Sequence, residues 1–462
     1  MKVLLINPSM GGYYIGSVVY SAITRSPPLN LALLAGALLL DGHDVVVWDL
    51  EVVPVVNIRQ KLLEINPDMV GLTARSPLYT AACELAQIVK STLDDTLVVL
   101  GGVHASTMPT ESLEEPALDC VVVGEGEEAI RALAAGTDLS TIGGVVTRES
   151  SVPPPPLVDD LDLLPLPAWH LFDLSNYMTT SLVARQVPVA DLESSRGCRA
   201  QCVYCTKGVF GSAWRVKSPG RMVEEVAHAK AAGFKSFNLV DDSFTTITSK
   251  AIAICNALID SGLDLPWTCT NGIRVGNVSE EFFRVARQAG CWLVAFGFES
   301  GSDQILKRIR KGATVAQGAR ATAWARKYDF TLLGYFMVGL PGETYETAKE
   351  TAQFAASLDV DYAKFSITMP LPGTPLYDNW GKYLKEGHDW NFSIHSAKKA
   401  IFEHPEFTDL ELQGMASHAY RTFYLRPSYL KRRFSRSVKS GQIVRESKIA
   451  FKLAKSALAS RD

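Results

Sequence analysis

Two series of short apolar runs, interleaved with helical patterns, fill most of this 462-residue chain, and four consecutive prolines stand between them. In residues 1–150 the runs are "KVLLINP", "HDVVVWDLE", "DMVGLTARS", "TLVVLGGVHAS" and "CVVVGEGEEA", with helical patterns near 29–41, 56–65 and 79–93. Apolar runs of this kind, alternating with helices, predict a parallel, doubly wound sheet covered by helices on both faces. Ligands of such sheets sit beyond the carboxyl ends of the strands. Asn7, Thr73, Arg75, Gly101, Gly102, His104, Gly124, Glu125 and Glu127 fall at those ends. Paired glycines there let backbone approach a flat ligand. No GxGxxG follows the first strand, which disfavours a dinucleotide site. Residues 151–180 carry the prolines and read as an extended strap. From 181 to 385 six strand–helix units follow, which predicts a partial, open-sided (β/α)6 barrel. Residues 386–462 are read as a mainly helical, basic segment.

The run "RGCRAQCVYC" places Cys198, Cys202 and Cys205 just after the first barrel strand. Three thiolates at this spacing can hold three irons of a 4Fe–4S cluster and leave the fourth iron open to a reactant, whereas four cysteines make a plain electron carrier. Zinc is the alternative. It calls for a fourth Cys or His nearby, and the nearest candidates are Cys255 and His228 on predicted helices downstream. The other cysteines are scattered, which suits a reducing cytoplasm. Cys269 shares a strand face with Asn271 and is expected either to point into the barrel as a reactive thiol or to pack as a small core residue.

Length alone asks for two or three domains. The longest apolar run, "LALLAGALLL", is too short to cross a bilayer. Net charge is −3. The charge is uneven, because residues 420–462 hold twelve Lys or Arg and two acids. With an apolar stripe through Ile443, Phe451, Ala454 and Leu458, this tail suits peripheral contact with an anionic membrane surface, attraction of a phosphorylated substrate, or a solvated helix. No recognised nucleic-acid module accompanies the charge, so nucleic acid is not expected as a partner.

The cysteine run resembles that of radical S-adenosylmethionine (SAM) enzymes. "GGVHAS" and "VGEGEEA" resemble the Rossmann-like cobalamin-binding domain that precedes the barrel in many of them, and "LPAWHLFDLSNY" is similar to their domain junction. The resemblance spans nearly the whole chain. It implies a cobalamin-dependent radical SAM methyltransferase using a 4Fe–4S cluster, SAM and cobalamin. In that class a 5′-deoxyadenosyl radical takes hydrogen from an unactivated carbon and methylcobalamin then supplies the methyl group. A small-molecule or lipid substrate and an external flavodoxin- or ferredoxin-type electron donor are also implied. The alternative is cyclisation, oxidation or rearrangement on the same architecture. A methylthiotransferase is disfavoured, since the N-terminal domain lacks the three cysteines of a second cluster.

By the same resemblance Tyr204 packs near the adenine, Asp241, Asn271, Arg274 and Glu299 contact SAM, and the turn "VGLPGET" lies near the adenine. Helix capping competes for each of these polar residues. The strand-end residues of the first domain are implied cobalamin contacts. The DxHxxG motif that gives cobalt a histidine is absent, so a ligand-free lower face is expected. A degenerate domain without the ligand is the competing reading, and His104 reads best as a hydrogen-bonded loop histidine.

Overall fold

The computed structural model describes residues 1–9, 25–155, 157–178, 183–388, 390 and 401–439. The first sheet and its helices run β1 Lys2–Asn7, α1 Leu29–Leu40, β2 Asp44–Asp49, α2 Ile58–Ile65, β3 Met69–Thr73, α3 Tyr79–Lys90 and β4 Leu97–Gly101, then α4 Val103–Thr107, α5 Pro109–Ser112, β5 Cys120–Val122, α6 Glu127–Ala134 and β6 Val145–Val146. The strand order is β2-β1-β3-β4-β5-β6. All pairs are parallel except β5 with β6. The run "KVLLIN" is apolar throughout because both faces are covered. Leu4 and Ile6 join the core beneath α2 and α3, while Val3 and Leu5 join the core beneath α1 and α6. The order reverses between β1 and β3, so the ligand crevice of such a sheet opens at Asn7 and Thr73.

The strap is packed rather than merely extended. Trp169 is buried in the barrel core and Ala168 in the first domain's core. Gly36 in α1 gives the strap room, since a Cβ there would lie 2.3 Å from the Leu166 carbonyl oxygen.

The second body runs β7 Val189–Leu192, β8 Ser195–Arg196, β9 Arg215–Val216, α7 Pro219–Ala232, β10 Ser236–Leu239, α8 Thr248–Asp260, β11 Trp267–Ile273, α9 Glu280–Gln288 and β12 Cys291–Glu299, then α10 Asp303–Arg308, α11 Val315–Lys327, β13 Thr331–Val338, α12 Tyr345–Ser357, β14 Tyr362–Ile367 and α13 Pro375–Trp380. Six parallel strands in the order β7-β10-β11-β12-β13-β14 form the expected partial barrel. Helix α7 shows why its bounds were readable. The Ser218 side chain accepts from the Arg221 N–H, Pro219 opens the first turn, and Gly233 ends the helix at φ +106°; each residue suits its position.

Helices α14 Asp409–Tyr424 and α15 Pro427–Lys439 close the chain as described. They dock on the barrel's edge strand. The Tyr424 and Tyr420 hydroxyls bridge the N–H and C=O of Ala363 and Phe365 on β14. The Tyr429 hydroxyl donates to the Asp361 carbonyl at 2.9 Å. Arg432 pairs with Asp359, and Arg433 with Asp361. These aromatics and arginines therefore have partners in the barrel, which corrects the reading of the whole segment as a free basic surface. Residues 440–462, including the apolar stripe, lie outside the described residues.

Candidate functional site

The antiparallel pair β8–β9 closes the neck of a loop that carries the three cysteines. Gly197 makes that neck possible: its φ is +81°, and a Cβ would lie 2.3 Å from the Ala213 carbonyl oxygen. The Gly197 N–H donates to Asp242 at 3.0 Å. Val203 donates to the Ile309 carbonyl and accepts from Leu376, so the loop is pinned to α10 and α13. Cys202 is buried, Cys198 half-buried and Cys205 exposed. Desolvation first, then its neighbours Cys202 and Cys198, push the Cys205 thiol up to about 11. Arg274 Nη1 lies 3.7 Å from Cys202 Sγ.

The proposed fourth zinc ligands are elsewhere. Cys255 is in the core of α8, and His228 Nε2 lies 2.9 Å from the Pro167 carbonyl oxygen. Among the described residues no three His, Cys, Asp or Glu converge closely enough to hold a single ion. Neither zinc candidate therefore joins the three cysteines, and three thiolates without a fourth protein donor are the set that an open-iron cluster takes.

The implied SAM residues lie around this loop. Asp241 is buried, and both its oxygens are taken: it accepts from the Ser194 N–H at 2.7 Å and from the Ser194 and Ser195 hydroxyls at 2.5 Å each. Burial raises its pKa to about 6 despite these donors. It therefore fixes the chain just before the cysteines. Asn271 donates to the Val240 and Asp241 carbonyls and stays exposed at the end of β11. Glu299 has φ +65°, a strained conformation for a non-glycine residue. Its carboxylate is 2.7 Å from Lys311 Nζ, which also donates to the Tyr204 hydroxyl at 3.3 Å. A Cβ at Gly297 would fall 2.6 Å from Glu299 Oε1 and 2.9 Å from Lys311 Nζ, so glycine makes room for the pair. Sequence reasoning missed Lys311, which nothing in "RIRKGAT" marks out. In the "VGLPGET" turn, Glu343 accepts from the Gly339 and Leu340 N–H groups, and burial lifts its pKa to about 7. Cys269 packs with Cys255 and Cys291 in the core between strands and helices, not in the barrel.

The first sheet's carboxyl edge faces the cysteine loop across a cleft lined by Gly124, Pro154, Pro155, Lys207, Gly208 and Val209. At Gly101 an added Cβ would meet nothing within 4 Å, and at Gly124 nothing nearer than 3.7 Å. Gly102, at φ +99°, closes against the Ala74 carbonyl oxygen, 2.8 Å from a built Cβ. The open space at Gly101 and Gly124 fits the approach of a flat ligand to this edge. Thr73 accepts from Asn30 at 3.0 Å, Asn7 donates to Asp49 at 2.7 Å, and Arg75 is exposed. His104 is fully buried with Nδ1 3.1 Å from the Ser76 hydroxyl and its ring against Tyr79. Burial lowers its pKa to about 4. It sits in α4 rather than in a loop, is partnered at Nδ1 alone while the buried Nε2 has no hydrogen bond among the described residues, and does not line the cleft.

Glu125 and Glu127, expected as cobalamin contacts, have other partners. Arg196 lies 3.1 Å from Glu125, 2.6 Å from Glu127 and 2.7 Å from Glu193, and Arg215 lies 2.9 Å from Glu125. Desolvation opposes ionisation of Glu125, but Arg215, the Val158 N–H and Arg196 hold its carboxyl below the usual range. The two acids bind the hairpin of the cysteine loop to the first sheet.

Residues 17–134 match the B12 binding domain and residues 192–355 the radical SAM superfamily. An uncharacterized methyltransferase of Pyrococcus horikoshii, PH0819, is 34% identical over 456 residues, spanning 93% of this chain and 94% of that protein. The chain belongs to the B12-binding radical SAM family. An anaerobic magnesium-protoporphyrin IX monomethyl ester cyclase of Rubrivivax gelatinosus is 27% identical over 455 residues, 94% of this chain and 80% of its own. The radical SAM methyltransferase TsrM of Kitasatospora setae, solved with cobalamin and a [4Fe-4S] cluster, shares the fold: TM-score 0.67 and 22% identity over 82% of this chain and 74% of that one.

Proposed function

We propose that this member of the B12-binding radical SAM family is a cobalamin-dependent methyltransferase acting on an unactivated carbon of a small molecule. The observation that carries the reading is the cysteine loop held against the glycine-lined sheet edge by Arg196 and Arg215. When bound, the cluster with SAM supplies a primary carbon radical and the corrinoid supplies a methyl group. Cys198, Cys202 and Cys205 hold the irons. Arg274 sets positive charge beside Cys202, and Lys311 neutralises Glu299 next to Tyr204. With Asn271, these residues orient SAM, while Asp241 positions the loop. Thr73, Arg75, Gly101, Gly102 and Gly124 would receive the corrinoid. The domain limits proposed are 1–150, 151–180, 181–385 and 386–462.

A second reading is cyclisation, favoured by the likeness to the cyclase along 94% of this chain. Anaerobic incubation with SAM, a reductant and a metabolite extract, followed by mass spectrometry, separates the two. Methyl transfer adds one methylene to the product mass, and oxidative cyclisation removes hydrogen. Neither product would sink both readings.

The electron donor proposed is an external flavodoxin or ferredoxin, and the location proposed is cytoplasmic, in keeping with five further cysteines that form no disulfide. Among the described residues no helix is long and apolar enough to cross a membrane. Peripheral contact rests on residues 440–462, with five Lys or Arg and two acids. Each basic residue near an anionic surface is worth about 1 kcal/mol at low salt. Vesicle sedimentation should show weak, salt-sensitive binding to anionic vesicles only; equal partitioning to neutral vesicles rules the contact out.

A further inference from the structure

The barrel strands divide their side chains between two surroundings. On β13 and β14, Phe336 and Phe365 stack on each other at 5.2 Å, and Phe336 also meets Phe298 and the Phe354 ring of α12. That is the helix-facing side. Tyr335 and Lys364 are register partners on the opposite, inner side, with Met337 and Ser366 next along the strands. Tyr335 reaches across the interior: its hydroxyl donates to the Thr270 carbonyl at 2.8 Å. Its register partner on β12 is Gly297, so no side chain stands in the way.

The wall formed by β7, β10 and β11 is polar and self-satisfied. Asn238 donates to Asp191 at 2.9 Å, and the Thr268 and Thr270 hydroxyls donate to Asn238 at 3.0 and 2.9 Å. The wall at β14 is not. Lys364 has three N–H donors, and among the described residues it makes no hydrogen bond or ion pair. Its Nζ lies 6.0 Å from the centre of the Tyr335 ring. Ser366, two residues on and on the same face, also lacks a hydrogen bond among the described residues. The contrast lies within one barrel. Arg196, Arg215, Lys217 and Lys311 are all buried, and each is paired with a carboxylate. Desolvation lowers the pKa of Lys364, as expected for an enclosed amine without a counter-ion.

We propose that Lys364, with Ser366, receives an anionic group of the substrate, a carboxylate or a phosphate, inside the barrel. This rests on the barrel being the reaction chamber of the function proposed above. Lys364 lies three residues below the end of β14, or about 10 Å at roughly 3.3 Å per residue. The anion is therefore held deep, and the carbon that reacts lies towards the cysteine loop. The substrate class is an anionic small molecule, not a neutral lipid.

The test uses the full-length, anaerobically reconstituted protein and reads thermal unfolding in sodium acetate, inorganic phosphate and chloride at matched ionic strength. A ligand that binds the folded state alone raises the melting temperature with saturation. A saturable rise with acetate or phosphate is expected in the wild type and in Lys364→Arg, and no rise in Lys364→Met. An acetate-only response assigns a carboxylate, and a phosphate-only response a phosphate. Lys364→Met should itself melt at or above the wild-type temperature, because an unpaired enclosed charge has been removed. A lower melting temperature would reveal a structural partner for Lys364 and overturn the proposal. So would equal ion responses in wild type and Lys364→Met, or no response to either ion. None of these measurements involves methyl transfer, so failure here and failure of the methyltransferase reading are separate results.

Discussion

At the carboxyl edge of the first sheet, backbone faces the cleft: Gly101 and Gly124 offer open space where a side chain would stand. At the mouth of the barrel, side chains do the facing, with Arg274 beside Cys202 and Lys311 between Glu299 and Tyr204. The first surface suits a broad ligand recognised by shape, and the second suits small charged groups recognised one by one. The acids that the first edge does carry, Glu125 and Glu127, are spent on Arg196 of the barrel's own loop. The acids of the edge thereby tie the two sites together.

The largest effect that separates the two edges is expected from Cys198→Ala. It should abolish cluster absorbance and formation of 5′-deoxyadenosine, while cobalamin uptake stays at the wild-type level. Persistent 5′-deoxyadenosine would remove the cysteine loop from the chemistry. Joint loss of cobalamin would mean that the two edges are not independent sites.

Next comes Arg196→Ala, which tests the ionic joint. The Arg196 side chain is 2% exposed, and its three carboxylates are 8–11% exposed. Removing one partner of such a buried set costs about 3–5 kcal/mol, because the remaining charges stay desolvated. Denaturant unfolding should show that loss, and iron content should fall with it. Arg196→Lys should recover little, since one ammonium cannot replace a guanidinium that bonds three acids. A loss below about 1 kcal/mol would place the joint among weak surface pairs.

Gly102→Ala acts on the first edge alone. The left-handed φ and the 2.8 Å approach to the Ala74 carbonyl oxygen should cost about 1–3 kcal/mol in local strain. Cobalamin stoichiometry should drop while iron stays near wild type. Unchanged uptake would show that this turn does not shape the corrinoid site.

Much of this molecule was legible because local rules decide it. The doubly covered run "KVLLIN", the Ser218–Pro219 start and Gly233 stop of α7, and the spacing of the three cysteines each carry their meaning within a few residues. What was not legible depends on partners far along the chain. Glu125 and Glu127 sit where a cobalamin contact is expected, and only the fold shows Arg196, about 70 positions away, claiming both. Asp241 follows a strand as a SAM contact would, and only the fold shows that it also accepts from Ser194 and Ser195, far back along the chain. The two-residue strands β8 and β9 are too short for any periodicity to register. In residues 420–434 aromatics alternate visibly with arginines, but nothing local shows that Tyr420, Tyr424 and Tyr429 dock on the barrel's edge strand.

Those tyrosines give the smallest expected effect and concern how each sheet ends. The first sheet finishes on one side with the antiparallel β6, whereas the barrel stops at β14 with its outer N–H and C=O groups unpaired by any strand among the described residues. An open edge of this kind invites pairing with another chain unless it is covered. Tyr424 covers it at Ala363, accepting from the N–H at 3.1 Å and donating to the C=O at 2.9 Å. Tyr424→Phe removes both bonds without changing the packing of the ring, for a loss of about 1 kcal/mol. Hydrogen exchange at the Ala363 amide should quicken, while the amides of β3 and β4 keep their wild-type protection. Adding Tyr420→Phe should extend the change to Phe365, two residues along the same edge. Unchanged exchange at both amides would mean that ring packing alone guards this edge, and that the hydroxyls are not what closes the barrel's last strand.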